Sequence, residues 1–479
     1  MKKLLLLSFV SILSIGALVA QNVNVTSSGG TSTSATYPTL AAAITAINGG
    51  VIHTGTITAE VVNGYTETAP VGGFSITATG TLANPIVFKK ALPGGANPVL
   101  NAYVGTATPT SAAPDGIMSI RGGDYITIDG LTFTDGNTTN PATMEYGVGL
   151  FKASAGNGAN NNTIQNCIFN MQRVNAVSGS APMVEGAVGI LVINSTATAA
   201  TTALTPTNGG TLATNGTNSA NKFYANAING GNYGIVFSGF SATVGVGPTP
   251  TATTFLGDLG NDVGGNALST GNTILNYGGG GSAIAAAAIR ANFQWSVNIS
   301  YNTTNNNNGS GVNNNSTLRG IYAQAGTSAN ATITNNTVTI KGGGTTSTIS
   351  AIDNGIGSTA ASNTVNINNN TITGCDYSTA TSGVFNGIIN SSTATNVNIN
   401  SNVITNSTFP GTGTHVMIET GSPATATANS NSISNISRSG ASGSWRGIKT
   451  TSPTNFIANS NTIEGLSWTL STSTGSIDA

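Results

Sequence analysis

The sequence predicts an all-β fold, a single-stranded parallel β-helix of about ten coils, each of ~30 residues. Three observations carry this expectation. Short patterns recur at a nearly constant interval. Each interval alternates polar and apolar residues without any helical stripe. The chain is rich in asparagine and glycine, yet only 6% of its residues are charged.

The interval is read from two series. A glycine followed by an aliphatic residue stands at Gly320, Gly355, Gly387 and Gly447, with Met417 in the same register. An Asn, a short residue and then Ile or Val begin at Asn336, Asn370, Asn402, Asn431 and Asn461. Both series step by 29–35 residues, and within a unit the asparagine follows by 14–16. The register extends back through Ala288 with Asn302, Gly147 with Asn162 and Gly116 with Asp129. Gly189 with Asn221 and Gly234 with Asn272 fit if loops are inserted near 195–217 and 241–266. Strings such as "ATITNNTVTI" and "TNVNINSNVIT" have the period of a strand with one buried face. Such a unit cannot bury that face alone, so neighbours must stack.

Stacking explains the amides. Equivalent residues of successive coils lie ~4.8 Å apart. A lysine or glutamate in such a column would repel its own copies. An asparagine offers both donor and acceptor to the next one, and it tolerates the left-handed backbone of a sharp bend. The column Asn162, Asn221, Asn272, Asn302, Asn336, Asn370, Asn402, Asn431 and Asn461 is therefore expected to be a structural ladder. Cys167 and Cys375 each follow a member of it by five residues. The reading puts them in one column, five coils apart, and so unpaired.

The elements before the repeat follow in order. Residues 1–20, "MKKLLLLSFVSILSIGALVA", have the basic start, apolar run and small-residue end of a secretory signal peptide. No second long apolar run follows, so no membrane span is expected. Residues 21–115 read as an N-terminal cap and the first irregular coils. Within them Leu40, Ile44 and Ile47 share one helical face, predicting a helix over 38–48 that covers the open end of the solenoid. Residues 116–479 form the repeat region, which is expected to be cut short of a further C-terminal segment.

"TLAAAITAIN", "GYTET", "YITIDGLTF" and the ladder of Asn-x-Ile coils together resemble the right-handed parallel β-helix repeat proteins of the pectin-lyase-like superfamily. The flavour is that of large secreted surface proteins of bacteria with type IX secretion. The resemblance covers nearly all of the chain after residue 20. It implies a right-handed helix and an extracellular setting. It leaves function open, because such folds carry lyases, hydrolases and adhesins alike. Those surface proteins usually end in a sorting domain, and this sequence is expected either to stop short of one or to use another export route.

Chemistry is thinly supplied. The net charge of -1 excludes a basic stripe for nucleic acid. Lyases of the resembled fold use acidic ligands for calcium, and the acidic cluster here is Asp115, Asp124, Asp129 and Asp135. "RGIKT" at Arg446 to Thr450 is faintly similar to a hydrolase stretch, but Arg446 shares its coil position with Arg319, Asn354 and Asn386. Glu419 and Asp353 lie about two coils apart in similar register. His53 and His415 are the two histidines, and neither has a catalytic setting. Tyr233, Phe237, Trp295, Tyr322 and Trp445 are the candidates for exposed aromatics. The expected function is a secreted, non-catalytic surface scaffold or adhesin that contacts extracellular polysaccharide or cell-surface components, without a cofactor. The alternative is a polysaccharide lyase or glycoside hydrolase, with calcium implied only in the lyase case.

Overall fold

The computed structural model describes residues 20–30, 34–50, 52–106, 111–139, 143–173, 187–207, 216–242, 255–279, 285–440, 442–469 and 476–478. The signal-peptide segment 1–19 and parts of both expected insertions lie outside them. From Thr54 onward the chain winds as a right-handed β-helix, laying strands on three long sheets in turn. Among the described residues the sheets hold 14, 12 and 12 strands. Successive coils pair in parallel and in register, as in Ile299–Ile333–Ile367 on the first sheet and Ile321–Ile352–Ile388 on the third. Strands alternate, so these isoleucines face inward and are fully buried. Each contributes about 1.5–3 kcal/mol by leaving water.

There are about twelve coils, against the ten that spacing predicts. The additional ones precede residue 116. Their strands Thr54–Val61, Thr66–Thr68, Phe74–Ile76, Ile86–Lys90 and Val99–Asn101 carry neither the glycine nor the asparagine signature. At the front, Val23–Gly29 pairs antiparallel with Thr54–Val61 and with Ser34–Tyr37. A helix spans Leu40–Gly49 and buries Leu40, Ala43, Ile44 and Ile47. The Thr39 hydroxyl accepts from Ala42 N at 3.1 Å. The Glu67 carboxylate accepts from Leu40 N at 2.6 Å and from Ala41 N at 3.2 Å. An anion at that position offsets the helix dipole.

The asparagine ladder exists, with two corrections. At the corner from first to second sheet, each backbone N–H from Asn226 to Asn431 donates to the side-chain oxygen of the next asparagine. The order is Asn226, Asn272, Asn302, Asn336, Asn370, Asn402, Asn431, Asn461, with distances of 2.9–3.1 Å. Each side-chain amide also donates to that same oxygen at 2.8–3.1 Å. Asn162 and Asn221 do not belong to this column. They stand one corner earlier, between third and first sheets, where Asn162 N donates to Asn221 Oδ1 and Asn221 N to Asn261 Oδ1. The reason is that these two precede first-sheet strands, Thr163–Gln165 and Lys222–Tyr224. The true member of the long column in the Asn221 coil is Asn226.

The cysteine register changes with it. Cys167 occupies the ladder corner, its N–H donating to Asn226 Oδ1 at 3.1 Å. Cys375 lies beyond the second-sheet strand Thr371–Thr373, bonded to the Ser407 hydroxyl. The two are in different columns, both free and buried. Likewise the partner of Arg319 in the next coil is Ser350, not Asn354. Residue 355 falls beyond the strand Thr348–Asn354, so Ala351 takes the place of the expected glycine. The insertion expected over 241–266 ends in coil structure, because Asp262–Val263 is a first-sheet strand.

Candidate functional site on the outer face of the third sheet

The outer face of the third sheet divides in two. In the coils containing Tyr146–Phe151, Val188–Ile193 and Tyr233–Ser238 the outward residues are apolar. Tyr146, Leu191, Tyr233 and Val236 form a second cluster with Ala197 and Ala200 of the segment 194–207. The buried Lys152 ties that segment down, its ammonium donating to Asn194 Oδ1 at 2.9 Å.

From Ala286 onward the face becomes polar. Register places Arg290, Tyr322, Asp353, Ile389, Glu419 and Lys449 in one row. Arg319, Ser350, Asn386, Val416 and Arg446 form the row beside it. Arg319 joins the rows: its Nε donates to Asp353 Oδ2 at 2.6 Å, and its guanidinium carbon lies 3.8 Å from the centre of the Tyr322 ring. Lys449 Nζ meets Glu419 Oε1 at 2.6 Å, and the Thr451 hydroxyl donates to the same oxygen at 3.1 Å. Burial, ahead of the neighbouring charges, pushes the Tyr322 phenol up. The result is an arginine stacked on an aromatic ring within a strip of paired charges and amides.

This strip was partly legible. Asp353 and Glu419 do share a column, two coils or ~10 Å apart. Each carboxylate faces its own cation. Arg446 takes the repeat position of Arg319, in the same row. Of the aromatic candidates, Tyr233, Phe237, Trp295 and Trp445 are buried. Tyr322 is half-exposed.

The four aspartates are not one site. Asp124 accepts from Asn160 N at 2.7 Å at the corner before the first sheet. Asp129 ends a first-sheet strand, bonded to Gln165 at 2.8 Å and Asn166 at 2.7 Å. Asp115 and Asp135 lie near the corner between second and third sheets. There Asp115 accepts from the Tyr103 hydroxyl and from Thr106 N, the latter at 2.6 Å. Sequence reasoning missed the partner at that corner, Glu145. Asp115 N donates to Glu145 Oε2 at 2.7 Å. Burial pushes the Glu145 carboxyl up to about 8, with Asp115 and Asp135 adding to the rise. The signal was available, since Asp115 and Glu145 each precede paired strands, Gly116–Arg121 and Tyr146–Phe151. Calcium takes six to eight oxygens. Among the described residues no three or more acidic, histidine or cysteine side chains converge to hold a metal, so these aspartates do not fit such a site.

Both histidines are buried. The Tyr37 hydroxyl and His53 Nε2 are 2.7 Å apart. His415 Nδ1 accepts from Phe385 N at 3.2 Å, beside the Phe409 ring. Burial, then the Arg438 charge, pushes His415 down to about 3.

No family model matches the chain, and no curated protein does. Solved structures are similar at low identity. A lacto-N-biosidase from Eubacterium ramulus matches at 11% identity and a TM-score of 0.42, over 85% of this chain. The chain spans 63% of that structure's length. An A-module of a mannuronan C-5 epimerase from Azotobacter vinelandii matches at 15% identity and a TM-score of 0.34, over 92% of this chain and 93% of that one. PfbA, a surface adhesin of Streptococcus pneumoniae, matches at 12% identity and a TM-score of 0.29, over 86% and 79%. The similar solved structures thus include enzymes and an adhesin.

Proposed function

We propose that this chain is a secreted β-helix that acts as a non-catalytic surface scaffold, contacting extracellular glycans through the outer face of the third sheet. The observation that carries this reading is the platform of Arg319 on Tyr322, fixed by Asp353. A sugar presents a C–H face and a ring of hydroxyls. The outer plane of the Arg319 guanidinium, laid over the Tyr322 ring, receives the first, while carboxylate and amide groups bond the second. The platform is already built, so little side-chain freedom is lost on binding. The signal-like start of the sequence supports export. Among the described residues no helix is long and apolar enough to cross a membrane.

The test is binding of the purified chain to immobilised polygalacturonate and alginate. Arg319→Ala/Tyr322→Ala should weaken retention at least about tenfold without changing the melting temperature by more than a few degrees. Retention that survives the double substitution, or no retention on any surface, would overturn the assignment.

A further inference from the structure

The first sheet has a face of another kind. Its strands Val297–Ser300, Ala331–Thr334, Thr364–Asn368, Asn396–Asn398 and Thr425–Thr427 contain no charged residue. Register aligns Asn298, Thr332, Asn366, Asn398 and Thr427 in one row. Over three of these coils the surface forms a groove of about 610 Å³, lined by Ser296, Asn298, Asn330, Thr332, Ser362 and Asn366 among others. The groove is shallow and open to solvent, with room for a chain lying along the surface rather than for an enclosed ligand.

Some lining groups are held in place by neighbours. Asn298 Nδ2 donates to Asp262 Oδ1 at 2.7 Å, and Asn398 Nδ2 to Asn366 Oδ1 at 2.9 Å. No described residue bonds the hydroxyls of Ser296, Thr332 or Ser362. The chemistry of the groove selects its ligand. An anionic glycan would surrender hydration with no cation to receive it. A protein partner would need a large apolar or aromatic anchor, whereas Val297 and Ala331 are already buried. A neutral polymer of hydroxyls, which both donate and accept, matches amides and hydroxyls repeated at the ~4.8 Å coil rise.

We propose that this groove binds a neutral, extended polysaccharide lying along the axis of the β-helix, about one sugar to each coil. The site is separate from the third-sheet strip and takes a different class of glycan.

The experiment titrates the full chain with cellohexaose, xylohexaose and mannohexaose, and with a galacturonate hexamer as the charged control. Binding of at least one neutral hexamer is expected, with the galacturonate bound more weakly in this groove. Thr332→Val/Ser362→Ala removes two hydroxyls and should weaken neutral binding on the order of tenfold. Thr332→Tyr fills the groove and should abolish it. Unchanged melting temperatures show that either variant is folded. Arg319→Ala/Tyr322→Ala should leave neutral binding intact, which keeps this proposal distinguishable from the third-sheet reading. The proposal is overturned if none of the neutral hexamers binds at millimolar concentration. It is also overturned if binding persists in the Thr332→Tyr variant.

Discussion

Asn402→Asp exchanges a single NH₂ for an oxygen, and the ladder makes that exchange costly. Asn402 is fully buried. Its Oδ1 accepts from Asn370 N and Asn370 Nδ2 at 2.9 and 3.0 Å, and a carboxylate preserves both bonds. Its Nδ2 donates to Ile367 O at 2.8 Å, Asn431 Oδ1 at 3.1 Å and Asn400 O at 3.2 Å. A carboxylate would place its second oxygen against three acceptors. Two donated protons shared among three acceptors are lost, at about 0.5–1.5 kcal/mol for each hydrogen bond, and a buried charge is left without a partner. The expected loss is about 3–5 kcal/mol at pH 7.5. Burial raises the folded-state pKa of the new carboxyl above its unfolded value of about 3.9. The penalty is therefore complete above the folded pKa and fades as pH falls towards 4, where the protonated acid donates again. Asn406→Asp is the control, because Asn406 is exposed and its one side-chain bond is a 3.4 Å contact from Asn435. It should cost no more than about 0.5 kcal/mol. Urea denaturation at pH 7.5 and 4.5 reads both variants. Equal midpoints for the two, or a loss that does not shrink at the lower pH, would refute the reasoning.

Four further outcomes are expected. Cys167 and Cys375, both pushed up to about 12 by burial, should resist a thiol reagent in the native protein and react stoichiometrically in urea; a disulfide-linked peptide pair would contradict the coil register. His415 has a folded pKa near 3, below its unfolded value of about 6.5. Stability should fall as pH drops from 6.5 towards 3, and His415→Gln should flatten that slope in acid denaturation. Glu145 has the opposite sign: its folded pKa is raised to about 8, so its contribution is lost as pH rises from about 4.5 through 8. Glu145→Gln should make the protein relatively more stable at pH 8.5 than at pH 5. Finally, incubation with polygalacturonate or alginate, with and without calcium, should yield no new reducing or unsaturated ends. Turnover that is abolished in folded Asp353→Asn or Glu419→Gln variants would establish the enzyme alternative, as would turnover abolished by Asp124→Asn/Asp129→Asn.

The sequence made the solenoid legible because one physical constraint repeats in every coil. An inward isoleucine, a bend and an amide must recur wherever coils stack, and spacing exposes them from Asn272 to Asn461. The capping helix was legible from Leu40, Ile44 and Ile47 because its one buried face has a helical period. The first coils were read only as irregular ones and not counted as repeats, since Ile57, Phe88 and Leu100 occupy rungs without the asparagine bend. Asn162 and Asn221 were placed one corner too late because both corners use the same residue for the same bond. The strip around Arg319 and Tyr322 was legible only in part, for another reason. Its members are ~30 residues apart in the chain and meet only through register, and the outward positions of a coil are under no common demand that spacing could reveal. Asp115 was named from the sequence, but its partner Glu145, one coil away at a shared corner, was missed although both precede paired strands.

The central claim, that the third-sheet strip is where glycan meets protein, is tested most directly by hydroxyl-radical footprinting. The chain is oxidised alone and in the presence of a glycan it retains from the polygalacturonate and alginate panel, and modification is quantified at Tyr322 and Tyr301. Tyr322 stacks under Arg319 on the third sheet, whereas Tyr301 stands at the bend between first and second sheets. Bound glycan should suppress oxidation of Tyr322 severalfold and leave Tyr301 unchanged. Saturating glycan with no protection of Tyr322 would contradict the account.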